Sequence, residues 1–395
     1  MSLPLGGIKP CIDFTLPEPT VLPCFQLIIF YLITLSISYT ILKNESRISI
    51  ISSNQLRVIL AIIHAIIPQL IVSTNVVANL FFAAMPWFFV AYGATMPLER
   101  ITLQEAYVTF MAIVIDQERQ QRQISAEGKT SDNNSGAKSE NRWHGCIKII
   151  RGTIKWIFLF RCIEPFLPEN NAYILSLPWF HWKSMTLTML YGIEGYCFLG
   201  IIDIGMGIEE FALGIPLIDL FNSPILASSP RDFWRHIPIS RRWNRAVRNL
   251  LHHIIFVRSI KEDFTNKDTK LTKTKTENKK EQRISSFFLT KNIMGFLAFF
   301  VSGVFHELII TSMFRKMTLE NLAFFTLQGI AVWIQLTIRD WATWSKQYPH
   351  GLTRVVCVLC HLMFLSVTGR LFLAPYLRYP GSTPKDLYDN YAFHV

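Results

Sequence analysis

Apolar stretches long enough to cross a bilayer recur along the chain of 395 residues, and roughly 20 such residues in a helix span the hydrocarbon. The clearest are Phe25–Leu42, Leu56–Ser73, Val76–Met96, Met185–Leu213, Phe287–Phe314, Asn321–Ile338 and Leu352–Leu373. The aromatic-rich Ile154–Leu167 reads as a further short span or an interfacial segment. Backbone N–H and C=O groups in lipid must find partners within the chain, which leaves helices for segments of this length. The expected fold class is therefore all-α, a polytopic transmembrane bundle of about six to eight spans. Composition agrees: 50% of the residues are hydrophobic and only 17% are charged, more apolar than a soluble core requires. Pro4, Pro10, Pro17, Pro19 and Pro23 precede the first span, and this opening does not read as a secretory signal with a basic start and a small-residue cleavage site.

Two polar interruptions divide the chain. The segment Asp116–Arg142 is almost free of large apolar residues and reads as a solvated, disordered loop. It separates N-terminal transmembrane helices at 1–115 from a larger part at 143–395, which contains a lysine-rich loop at 261–285. The lysines place that loop on the cytoplasmic side. The formal charge of +11 suits anionic lipid headgroups or a phosphorylated substrate, and no nucleic-acid motif accompanies it. Seven cysteines scattered through apolar sequence make no disulfide framework. Cys357, Cys360 and His361 match the spacing of haem attachment, but they lie inside a span, and a zinc site would lack a fourth ligand. They read as packing residues, and no metal site is expected. No Walker-type or dinucleotide-binding glycine loop is present, which argues against a nucleotide-driven pump.

Chemistry in such a chain belongs where polar groups interrupt hydrocarbon. In Met185–Leu213, Glu194 and Asp203 are spaced to leave opposite faces of a continuous helix, so they form no acid pair. The glycines between Gly192 and Gly214 suit close helix packing or a break near a cavity. The segment Ser229–Ser259 holds many arginines against the single acid Asp232, and Ser240 can cap a helix running to about Val257. On that helix Trp243, Val247, Leu251, Ile254 and Ile255 form an apolar arc, with Arg241, Arg245, Arg248 and His252 opposite. Asn244 falls inside the apolar arc, where it either ties down a neighbour or meets a substrate. The arginine face meets lipid phosphates or collects a phosphate-bearing cofactor.

The most telling residue is His306, in "VSGVFHELII". An intramembrane histidine is a functional-site hypothesis by default, and its proton equilibrium suits a general base. Ser302, four residues earlier, shares its face, and Glu307 points away. His306 either bonds Ser302 or a neighbouring helix, or activates a substrate hydroxyl. A Ser302–His306 nucleophile pair lacks the strained elbow and oxyanion hole such a pair needs.

The order "SPRDFWR", "RRWN", a basic helix, a charged loop and then "FVSGVFHELI" resembles the wax synthase branch of the membrane-bound O-acyltransferases. The resemblance implies a helical enzyme of the endoplasmic reticulum membrane that carries an acyl group from acyl-CoA, its co-substrate, to a lipophilic alcohol. No bound cofactor is implied. Carried onto this chain, the motif histidine is His306, and the tryptophan-asparagine pair is Trp243 and Asn244. Asp232, Trp234, Trp243, Ser302 and Glu307 are then candidates for substrate or CoA contact. Arg241, Arg242, Arg245 and Arg248 are candidates for the CoA phosphates. "RHIPISR" separates the two motif blocks further than the family usually does. That difference bears on donor chain length and points the acceptor toward a terpenoid of secondary metabolism, beside fatty alcohols and sterols. The competing readings are a transporter, whose repeated halves the chain lacks, and an inactive homologue.

Overall fold

The computed structural model describes residues 9–10, 12–48, 51–76, 78–84, 96, 98–112, 114–127, 134–234, 278–341 and 349–379. The longer helices are α1 (Cys24–Lys43), α2 (Ser53–Leu70), α3 (Leu103–Met111), α4 (Gln117–Glu127), α5 (Asn134–Phe158), α6 (Trp182–Phe198), α7 (Gly200–Leu213), α8 (Asn278–Phe314), α9 (Glu320–Trp341) and α10 (Gly351–Arg378). Strands are confined to two short pairs: β1 (Phe14–Thr15) with β4 (Lys316–Met317), and β2 (Thr20–Leu22) with β3 (Ile71–Ser73). The all-α membrane reading holds. Among the described residues, five helical stretches are long and apolar enough to cross a membrane: Cys24–Lys43, Trp182–Leu213, Ile293–Phe314, Glu320–Ile338 and Gly351–Arg378. The expected span Val76–Met96 and the expected helix Ser240–Val257 lie largely or wholly outside the described residues.

Two compact units are built from interleaved stretches, with described residues of 103–234 and 351–379 in the first and of 12–102 and 278–341 in the second.

The first unit is organised by an antiparallel seam between α5 and α7. Gly145, Lys148, Gly152 and Lys155 share one face of α5, and Gly200, Asp203, Gly207 and Glu210 share one face of α7, each at the three-then-four spacing of neighbouring turns. Glycine lets the backbones touch: a Cβ on Gly145 would stand 2.7 Å from the Gly207 carbonyl oxygen, and one on Gly152 would stand 2.5 Å from that of Gly200. Between the glycine layers sit ion pairs, Lys155 to Asp203 at 2.7 Å and Lys148 to Glu210 at 2.5 Å. Lys148 also donates to the Leu217 and Ile218 carbonyls. Burial lowers the pKa of its ammonium.

The expected disordered loop at 116–142 is corrected here: α4 and the first turns of α5 occupy most of it. Gln, Glu, Arg and Ala are good helix formers, and side chains fasten both helices. Arg119 pairs with Glu210, Gln123 bonds Asn141, and Asn141 donates to the Gly214 carbonyl. The continuous helix assumed for Met185–Leu213 is also corrected. It breaks at Leu199 between α6 and α7, so the opposite-face argument for Glu194 and Asp203 fails even though both are buried.

In the second unit α8 and α9 form a helical hairpin. Gly303 lies against Leu322, where a Cβ would come within 3.0 Å of the Leu322 Cα. The turn between them places Arg315 and Leu319 in the left-handed region, at φ 59° and 58°. Ser312 donates to the Pro68 carbonyl, and Gln69 donates to that of Leu308, tying α2 to α8.

Candidate active site

His306 lies on α8, and its Nδ1 is 2.8 Å from the backbone carbonyl oxygen of Ser302 one turn earlier. A carbonyl can only accept, so Nδ1 carries the proton and Nε2 carries the lone pair. This is the tautomer a general base needs at Nε2. The ring is held between aromatic neighbours, its centroid 4.4 Å from that of Phe325 on α9 and 5.4 Å from that of Phe305. Gly303 on α8 makes this possible by letting α9 approach until Phe325 reaches the imidazole. The partner within Ser302 is its carbonyl, whereas the serine–histidine pairing considered from sequence would have used the hydroxyl.

Glu307, the next residue, is buried and points elsewhere. Its Oε1 accepts the backbone N–H of Thr318 at 2.8 Å and of Leu319 at 2.6 Å, and the amides of Asn321 and Leu322 also act on the carboxylate. The carboxyl oxygen here accepts from backbone donors at the turn into α9, where a helix start leaves N–H groups without helical partners. The motif thus divides its labour: Gly303 admits the neighbouring helix, His306 bonds the Ser302 carbonyl beside Phe325, and Glu307 pins the hairpin turn.

Asp232 and Trp234 lie in the first unit, on the short helix Pro230–Trp234. Asp232 is buried, and its Oδ2 accepts from the Ser228 N–H at 2.9 Å and the Ser228 hydroxyl at 3.2 Å. The Asp232 N–H donates to Ser229 Oγ at 3.1 Å, so two successive serines tie down this turn. The Trp234 ring meets Phe233 edge to face at 4.9 Å. Arg241, Arg242, Trp243, Asn244, Arg245 and Arg248 lie outside the described residues. Among the described residues no group of three or more His, Cys, Asp or Glu side chains is gathered to hold a metal ion.

Two features of α10 escaped the sequence reading. Arg370 is buried, and it donates to the Leu175 and Leu177 carbonyls and to Ser184 Oγ. Its guanidinium carbon stands 5.0 Å from the Trp179 ring centre. His361, read as a packing residue, is 2% exposed, and among the described residues neither ring nitrogen has a hydrogen-bond partner. It lies 5.6 Å from Phe233 and 6.3 Å from Phe364, centroid to centroid. The argument that singled out His306, an ionisable ring inside a span, applies equally to His361 and would have found it.

Residues 217–327 match the membrane bound O-acyl transferase family. Relatives in Arabidopsis thaliana include probable long-chain-alcohol O-fatty-acyltransferase 1, 34% identical over 42% of this chain and 41% of the relative. Probable long-chain-alcohol O-fatty-acyltransferase 9 is 28% identical over 62% of each chain. Acyl-CoA–sterol O-acyltransferase 1 is 26% identical over 56% of this chain and 54% of the relative. The chain thus spans between two fifths and about three fifths of the length of these relatives. The resemblance read from the motifs is shown, and the matched interval covers both Asp232 and His306.

Proposed function

We propose that this membrane protein, similar over residues 217–327 to the membrane bound O-acyl transferases, moves an acyl group from acyl-CoA to the hydroxyl of a lipophilic acceptor. The observation that carries the reading is the Nδ1 bond of His306 to the Ser302 carbonyl, which puts the proton on Nδ1 and the lone pair on Nε2. In the proposed step Nε2 takes the proton of the acceptor hydroxyl as its oxygen attacks the thioester carbonyl. The tetrahedral centre then collapses, the carbon–sulfur bond breaks, and the imidazolium returns the proton to the CoA thiolate. Ester and free CoA are the products. Burial in hydrocarbon serves this chemistry because one substrate lives there, and because water at the thioester would divert transfer into hydrolysis.

Asn244, drawn from the motif, orients the base or stabilises the oxyanion. The arginines 241, 242, 245 and 248 draw the CoA phosphates. Asp232, through its cap, shapes the turn that carries Trp234. The names of the relatives favour a fatty alcohol or a sterol as acceptor, with a hydroxylated terpenoid as the third class to offer. The proposed compartment is the endoplasmic reticulum membrane.

The test is CoA release by membranes bearing wild type or His306→Ala, supplied with acetyl-CoA or palmitoyl-CoA and a pool of alcohols, sterols and hydroxylated terpenoids. Products are identified by mass. Ester from the wild type and a loss of about 100-fold or more in the variant at equal expression is the expected result, within the range for a general base. Equal ester from both would make the histidine structural and end the mechanism. No ester from either would bring the transporter and inactive-homologue readings forward.

A further inference from the structure

We propose that His361, beside the Pro230–Trp234 turn, binds a neutral hydrogen-bonding group of a substrate, a hydroxyl or an amide. This rests on the acyl-transfer reading and adds a binding residue to it. An imidazole shut away from water with both nitrogens unpaired is costly, and such orphans in a folded core call for an explanation. Among the described residues neither Nδ1 nor Nε2 has a partner, on a helix apolar enough to span the membrane. A neutral imidazole offers one donor and one acceptor, the complement of a hydroxyl or an amide, each of which also offers both.

The charge nearby argues against an anionic ligand. Asp232 acts on the His361 ring electrostatically, and its carboxylate would repel a phosphate brought to the same place. A neutral group meets no such penalty. Phe233 and Phe364 lie beside the ring, at 5.6 and 6.3 Å between centroids, so its surroundings are aromatic. Two sources carry the required chemistry. One is the hydroxyl of the acceptor alcohol, and the other is an amide of the pantetheine arm of acyl-CoA.

Steady-state kinetics on membranes containing the full chain separate them, with hexadecanol and palmitoyl-CoA each varied in turn. The variants are His361→Phe, which fits the aromatic surroundings but cannot hydrogen-bond, and His361→Gln, which keeps one donor and one acceptor. The expected result for His361→Phe is a rise of about tenfold in KM for one substrate, the scale of one hydrogen bond, with kcat nearly unchanged. His361→Gln should recover part of that loss. A rise for hexadecanol identifies the hydroxyl, and a rise for palmitoyl-CoA identifies the pantetheine amide. If the wild type makes ester and His361→Phe leaves both KM values unmoved, or lowers kcat alone, the proposal is overturned and the acyl-transfer reading stands. Failure of both variants to accumulate as folded protein makes the residue structural and also overturns it. Absence of ester from the wild type removes the parent reading, and this one with it.

Discussion

A single carboxylate shows how closely chemistry and architecture are interleaved in the "HE" pair. Glu307 follows the proposed base, yet its Oε1 is taken by the Thr318 and Leu319 amides. Replacing it with alanine strands those buried donors, and each unsatisfied group costs about 1–3 kcal/mol. Glu307→Ala is therefore expected to lower the melting temperature in detergent, and Glu307→Gln, which keeps an acceptor oxygen, to lower it less. KM for acyl-CoA should not move in whatever folded protein Glu307→Gln retains. A rise there without loss of stability would return Glu307 to the substrate-contact role first assigned to it. His306 was legible from sequence because an ionisable ring in a span has few reasons to be there. Glu307 was not separable from it, because its partners lie across a turn whose left-handed residues, Arg315 and Leu319, carry no glycine to announce them. His361 was obscured differently, by a Cys-x-x-Cys-His spacing that drew the question toward haem and zinc.

At the level of elements, hydropathy recovers α1, α8, α9 and α10 because each shows an apolar surface over most of its length. It says little about α4, α5 and the α6–α7 break, which depend on contacts distant in sequence. The α5–α7 seam is the instructive case. Its α7 glycines read from sequence as close-packing positions, but only the antiparallel pairing shows their partners on α5 and the ion pairs set beside them. Lys155 is held by Asp203 at 2.7 Å and lies 4.2 Å from the Tyr196 ring centre. Arg151 contacts both Asp203, at 3.2 Å, and Asp219, at 2.8 Å. Removing one member of a buried pair costs about 3–5 kcal/mol, whereas replacing both with apolar groups is often nearly neutral. Lys155→Met alone should then destabilise strongly in a detergent melt. Lys155→Met with Asp203→Leu should recover most of the loss, since Arg151 keeps Asp219. A double variant no better than the single one would show that the layer holds the helices by charge rather than by shape.

Among the described residues, several charged side chains are buried and many large apolar ones are exposed. Lys148, Glu194, Asp203, Glu210, Glu307 and Arg370 are buried, while Leu32, Ile33, Ile62, Ile66, Leu359 and Met363 lie exposed on helices. Even α5, too charged to be counted among the spans, sets Trp143, Ile147, Ile150, Ile154 and Ile157 outward on the face away from its seam. Such a surface is costly in water and costs nothing against acyl chains. Lipid contact, more than the interior, is therefore what sequence hydropathy reports here, and the buried charges are what it misses. On α10 the two rules meet within three turns. Arg370 is tolerated inside because carbonyls and a hydroxyl receive its protons, whereas an arginine at exposed Leu359 would face hydrocarbon at a cost of about 2.5–3.5 kcal/mol near a span's centre. Leu359→Arg should thus cut the protein recovered in carbonate-washed membranes several-fold, and Leu359→Phe should not. If the arginine variant is recovered as well as the wild type, that face of α10 meets water or protein instead of lipid.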